Sequence, residues 1–157
     1  MSDLPFPPED PTAFLALCAG EWMSLRSRFA LSDGDDDWHQ SERGEVTVRF
    51  ESSESSSLLG QLVVQPLESP ASRLDFGSDG GLTVQIQGGE QHGQWRFWPD
   101  GSLELTMTSA DGAVVQERIW FTRLNLRLRS TTAIDAEGAP QQGSFCTDIR
   151  RVSKSAA

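Results

Sequence analysis

From Glu21 to Val152 the chain reads as ten short extended segments joined by tight polar turns, and this pattern constrains the fold more than any other feature. The first segment opens at Glu21. The others are Glu45–Glu51, Leu58–Gln65, Ser72–Phe76, Leu82–Gln87, Gln94–Trp98, Leu103–Thr108, Val114–Phe121, Leu126–Ala133 and Ser144–Val152. Most are rich in β-branched or aromatic residues and are bounded by Gly, Pro, Asp or Ser, as strands are. Asp79-Gly80-Gly81, Pro99-Asp100-Gly101 and Ala110-Asp111-Gly112 have the composition of hairpin turns. Evenly spaced strands with short turns make an antiparallel meander, and closing it into a barrel removes the edges that an open sheet presents to other chains. The expected fold is therefore all-β, a closed barrel of ten strands, and a small barrel of this kind holds one ligand in its interior.

Ahead of the strands lies one helical segment. Asp10 is a good N-cap, Pro11 suits the first turn, and Phe14, Leu17 and Cys18 share one face at helical spacing. Gly20 reads as the helix stop. Residues 1–9, with three prolines, read as extended, and 153–157 as a flexible tail. A chain of 157 residues corresponds to a single domain. A domain of that size buries about 70% of its unfolded surface, enough for a core without disulfides or a structural metal.

Charge excludes several functions. The formal net charge is −10, which disfavours phosphate backbones and anionic membranes as partners. The longest apolar run, Ala13–Ala19, is too short to span a bilayer, and the N-terminus lacks the positive region of a secretory signal. Two distant cysteines, Cys18 and Cys146, are neither a disulfide framework nor a zinc motif, and they fit a reducing, cytoplasmic setting. The charge is also uneven. Residues 114–157 hold six Arg and Lys154 against four acids, in a chain with twelve Arg and one Lys. This Arg-rich third is either a solvated strand face or a site for a carboxylate or phosphate, which Arg grips with two parallel hydrogen bonds.

No motif of a resident cofactor is present. Asp33, Asp35 and Asp37 alternate as in a calcium loop, but Trp38 stands where that loop needs Gly and Gly44 where it needs Glu. A histidine-based metal centre would have to use both His39 and His92. Glu117 and Asp148 form a candidate acid/base pair, with neutralisation of neighbouring Arg as the alternative. Cys146 reads as a buried, inert thiol.

Gly20-Glu21-Trp22 resembles the G-x-W that opens the first strand of lipocalins, where the Trp plugs the barrel's end near an Arg from a late strand. Three segments are more specific: GEWMSLR at Gly20–Arg26, ERIWF and NLRLR across Glu117–Arg129, and SFCTDIRR at Ser144–Arg151. In order and spacing they resemble the CpcS/CpeS type of phycobiliprotein lyase, which carries G-x-W-x-S-x-R, E-R-x-W-F, N-L-R-L-R and a closing F-C-S-E-I-R-R. Asp148 and Thr147 stand where that family has Glu and Ser, Phe29 lies near where a His often follows the first Arg, and Arg123-Leu124 replaces Ser-Pro.

The resemblance implies a calycin (lipocalin-like) barrel that binds an open-chain bilin, phycoerythrobilin or phycocyanobilin. It also implies attachment of the bilin through a thioether to a cysteine of an apo-phycobiliprotein subunit. The thiol then belongs to the partner, and no nucleophile is needed here. Arg127 and Arg129 share a strand face and become the expected clamp for the two propionates, with Arg26 adding charge. Glu117 and Asp148 become the catalytic carboxylates that accept from, or keep protonated, the pyrrole nitrogens. Trp120 becomes a stacking surface and Trp22 the structural plug. The same resemblance admits a homodimer or a heterodimer with a paralogue. The alternatives are a tetrapyrrole or fatty-acid carrier without transfer activity, and a non-catalytic partner subunit.

Overall fold

The computed structural model describes residues 6–30 and 39–152. Asp10 caps α1 (Pro11–Leu17): its backbone is extended, and its Oδ1 accepts from the Ala13 amide at 2.7 Å. Seven residues do not make a helix that stands alone in water. This one is held by burial of Phe14, Leu15, Leu17 and Cys18. Gly20 is not its stop but the first residue of β1. The φ of Gly20 is 145°, and a Cβ there would lie 2.6 Å from Nη1 of Arg150, so the position needs glycine on two counts.

Ten strands follow: β1 (Gly20–Ala30), β2 (His39–Ser52), β3 (Leu58–Pro66), β4 (Ser72–Gly77), β5 (Gly81–Ile86), β6 (Gly89–Phe97), β7 (Leu103–Thr108), β8 (Val114–Arg123), β9 (Leu126–Ile134) and β10 (Pro140–Arg150). Each pairs antiparallel with its neighbours in sequence, and β1 pairs with β10 to close the barrel. The all-β, one-helix architecture expected from the sequence is thus the one observed.

Two strands start earlier than their hydrophobic pattern suggests. β2 begins at His39 rather than Glu45, and β10 at Pro140 rather than Ser144. The added residues are polar and mostly exposed, so burial does not order them. Register does: Phe29 to Ser24 pair with His39 to Gly44, and Ala30 pairs with Gln142. The acidic loop Ser32–Asp37, with the calcium-like aspartates, and the tail 153–157 lie outside the described residues. Residues 6–9 are irregular, and the Phe6 ring packs edge-on against Phe121 at 6.5 Å.

One end of the barrel is packed solid. Phe14 meets Phe97 and Phe121 with ring centroids 6.1 and 5.3 Å apart, and Trp22 meets Phe121 at 6.2 Å. Trp22 is 1% exposed, and its Nε1 donates to the Cys18 carbonyl at 2.9 Å. Arg150 lies over the Trp22 ring at 4.2 Å. The Arg150 guanidinium also donates to the carbonyl of Leu17 at 2.6 Å, to that of Ala19, and to Oδ1 of Asn125 at 3.0 Å. A cation thus satisfies carbonyls at the helix C-terminus, where the backbone dipole is negative. Trp22 is the plug, and the late-strand arginine beside it is Arg150.

Candidate functional site

Above the plug the barrel encloses a cavity of about 870 Å³, within the range of small-molecule sites. Strand pleating gives it two unlike walls. From β2, β3, β4 and β7 come Val48, Leu62, Val64, Leu74, Phe76 and Leu105, an apolar wall. From β1, β8 and β9 come Ser24, Arg26, Glu117, Arg127 and Arg129, a polar wall. The sequence left open which face of β9 looks inward. Arg127 and Arg129 line the cavity, whereas Leu126 and Leu128 do not.

Register brings residues distant in sequence into rows across this polar wall. Ser24 pairs with Asp148, and Asp148 with Arg127. One step up, Arg26 pairs with Cys146, and Cys146 with Arg129. One step further, Thr131 pairs with Glu117. Asp148 is fully buried at the centre of the lowest row. Its Oδ1 accepts from Ser24 Oγ at 2.6 Å and Arg129 Nη2 at 3.0 Å. Its Oδ2 accepts from Arg127 Nε at 2.9 Å and Arg129 Nε at 2.7 Å. Four bonds fill the acceptor sites of a carboxylate.

Burial by itself raises the pKa of Asp148, but the hydrogen bond and charge of Arg129, the charge of Arg127 and the Ser24 bond outweigh it. The carboxyl is held below the usual range and is a fixed anion. Arg129 shows the reciprocal effect. Burial lowers its pKa, while Asp148 and the charge of Glu117 raise it above the ordinary value.

Glu117 is different in kind. Its Oε2 accepts from Thr131 Oγ1 at 2.9 Å and lies 3.9 Å from Arg129 Nη1, and Oε1 takes no hydrogen bond from the described residues. Among the described residues Arg26 uses only Nε, which donates to Cys146 Sγ at 3.0 Å. Cys18, at the cavity floor, is fully buried, and burial pushes its thiol pKa up despite nearby arginines. That thiol stays protonated and is no nucleophile.

The expected site residues therefore divide. Arg26, Glu117, Arg127 and Arg129 meet in the lumen, and Asp148 lies beneath them without a free acceptor site. Trp22 seals the floor. Trp120 does not join them. It is three residues from Glu117 in the same strand, so the pleat turns it outward, where its ring packs against Phe145 at 6.2 Å. Stacking of Trp120 on a ligand in the lumen is excluded by that geometry. Sequence reasoning missed Ser24 and Thr131, whose hydroxyls donate to Asp148 and Glu117. The alternation Trp22, Ser24, Arg26 on one strand face was the available signal for Ser24.

Three guanidinium groups against two carboxylates leave this wall with an excess of positive charge opposite an apolar wall. Fold and site together define a closed ten-stranded antiparallel barrel whose lumen sets an apolar wall against an arginine-rich one. Comparison with known proteins gives the family. The CpeS-like protein family model matches residues 87–151. The chain is 44% identical over 149 residues to chromophore lyase CpcS/CpeS 1 of Paulinella chromatophora, covering 95% of this chain and 92% of that protein. It is 27% identical to chromophore lyase CpcS/CpeS 1 of Trichodesmium erythraeum, covering 88% and 96%. The S-type phycobiliprotein lyase CPES of Guillardia theta has the same fold, with a TM-score of 0.57 at 18% identity, covering 90% of this chain and 92% of that one. The chain belongs to the CpcS/CpeS chromophore lyase family.

Proposed function

We propose that the protein binds an open-chain bilin in its lumen and attaches it through a thioether to a cysteine of an apo-phycobiliprotein subunit. Family membership supports the reaction. The observation that carries the reading in this chain is the two-walled cavity. A bilin is a long conjugated apolar body bearing two propionates and four ring nitrogens, and the lumen offers a surface for each. Val48, Leu62 and Phe76 face the rings, and the free Nη groups of Arg26, with those of Arg127 and Arg129 not held by Asp148, take the propionates. Glu117 is the carboxylate with an oxygen left for a pyrrole N–H, and as an anion it favours the protonated chromophore.

Asp148 acts at one remove. It touches no ligand but holds Arg127 and Arg129 side by side, so the clamp is set before the ligand arrives. Thioether formation joins the partner's sulfur to a carbon of the bilin's A ring and moves the thiol proton to the bilin. No oxidant is consumed, and no thiolate of this chain is required. Phycocyanobilin and phycoerythrobilin both fit this chemistry, and so does a homodimeric or heterodimeric assembly in the cytoplasm.

The test is co-expression with the enzymes that make each bilin and with a set of apo-subunits, reading covalent bilin by in-gel fluorescence. An adduct on a subunit is expected. A folded protein that yields no adduct with any subunit refutes the lyase reading. Bilin absorbance changes without an adduct would make the chain a carrier instead.

A further inference from the structure

We propose that the ligand passes in and out through a slot in the barrel wall between β2 and the turn joining β3 to β4, and that Gly44 keeps this slot open. The inference rests on the lumen being the ligand site, and it adds the route. The β2–β3 ladder stops at the pair Val46–Pro66. One further bond, from the Leu67 amide to the Glu45 carbonyl at 3.0 Å, closes that corner. Beyond it β2 continues through Gly44 to Gln40, paired with β1 alone among the described residues. The ladder ends there because the chain turns away after Leu67 and returns as β4 from Ser72. The facing turn is a braced lip, because Gln65 Nε2 donates to the carbonyls of Pro66 at 2.8 Å and Ser69 at 2.9 Å.

The cavity reaches the surface at this gap. Gly44 and Glu45 line it on one side, and Pro66, Leu67, Glu68 and Ser69 on the other. The remaining described turns at that end of the barrel, 87–88, 109–113 and 135–139, contribute nothing to its lining. A Cβ built on Gly44 meets no atom within 4 Å, so the position faces open space. Leu67 is 71% exposed and gives the lip an apolar edge over which a conjugated ligand can slide. Two of the nearby acids are neutralised, Glu42 by Arg28 at 3.3 Å and Glu45 by Arg151. Glu68, at the lip, is the acid of the opening without an ion pair among the described residues. Arg26 pairs in register with Glu42, which puts a lumen cation one strand from the opening. The end of the ligand left at the slot is the end that a partner's thiol can reach.

The test is stopped-flow uptake of two probes, biliverdin and anilinonaphthalene sulfonate, by the full chain, Gly44→Trp and Gly89→Trp. Gly89 also faces open space, but at the start of β6, away from the slot. A plug in the path raises the barrier to entry and to exit, so it slows association and release alike. Gly44→Trp is expected to slow both rates about tenfold. Gly89→Trp is expected to match the parent. As a second variant, Gly44→Cys is folded first and then labelled with a bulky maleimide; Cys18 and Cys146 are buried and spared. Labelling should reproduce the slowing. Parent-like rates after labelling, equal slowing in Gly89→Trp, or a parent that takes up neither probe overturns the slot. Uptake of the sulfonate without biliverdin refutes the bilin reading instead, and the sulfonate rates then decide the slot.

Discussion

Replacing Asp148 with Asn tests whether the polar wall is built around one buried anion. The substitution keeps the volume and removes the charge. It also puts an NH₂ where either Oδ1 or Oδ2 stood. If it replaces Oδ2, two donors, Arg127 Nε at 2.9 Å and Arg129 Nε at 2.7 Å, face a third donor. If it replaces Oδ1, Arg129 Nη2 meets the same conflict, whereas the Ser24 hydroxyl can turn to accept. Arg127, 5% exposed, is left without its counter-ion, and Arg129 keeps only Glu117 at 3.9 Å. Removing one partner of a buried ion pair costs about 3–5 kcal/mol, a large share of the about 5–15 kcal/mol that holds a domain together. At about 2–4 °C per kcal/mol for a chain of this size, the Tm should fall by about 10 °C.

Thermal unfolding followed by far-UV circular dichroism measures this, and pH supplies a second arm. The folded-state pKa of Asp148 lies below its unfolded value. The unfolded chain therefore binds the extra proton, and the carboxylate's contribution is fully present above about pH 4 and lost as pH falls through the folded pKa. The gap between parent and variant should be constant near neutrality and close on acidification. A gap under about 2 °C at pH 7, or one that widens in acid, would show that Asp148 is not the anchor.

Glu117→Gln keeps the size of the side chain and its bond to Thr131, so bilin affinity should change little while transfer slows about a hundredfold, as for loss of a proton-handling group. Single-turnover transfer beside equilibrium titration separates the two, and unchanged transfer removes Glu117 from the chemistry. Trp120→Ala alters only the outer wall, so the absorption spectrum and affinity of bound bilin should match the parent. A tenfold or greater loss of affinity would contradict the outward placement of Trp120.

The fold was legible because its signals are local. Most turns announce themselves in Gly, Pro or Asp, and the helix start is written in Asp10-Pro11. The site was legible only as far as period-2 alternation reaches. It put Arg127 with Arg129, and Trp22 with Ser24 and Arg26, on common faces. It did not show which oxygen each guanidinium meets, because the row Ser24–Asp148–Arg127 is set by register across three strands. Trp120 was misplaced for want of the same count: odd spacing from Glu117 in one strand puts the two on opposite faces. The early start of β2 was invisible for a different reason. His39–Gly44 carries no burial pattern, and pairing with β1 alone extends it.

The surplus of arginine in the last third also divides once positions are known. Arg150 stacks on the plug and satisfies the helix end, and Arg127 and Arg129 crowd around one carboxylate. Lysine cannot take these places. Arg129 grips both oxygens of Asp148 through Nε and Nη2, and Arg150 reaches carbonyls on both α1 and the β8–β9 turn; a single ammonium has neither the fork nor the span. Because Asp148 consumes only the Nε of Arg127, and Nε and Nη2 of Arg129, the same residues keep donors for a ligand. The segment that closes the barrel thus also charges its lumen, and a substitution within it is expected to disturb stability and ligand binding together.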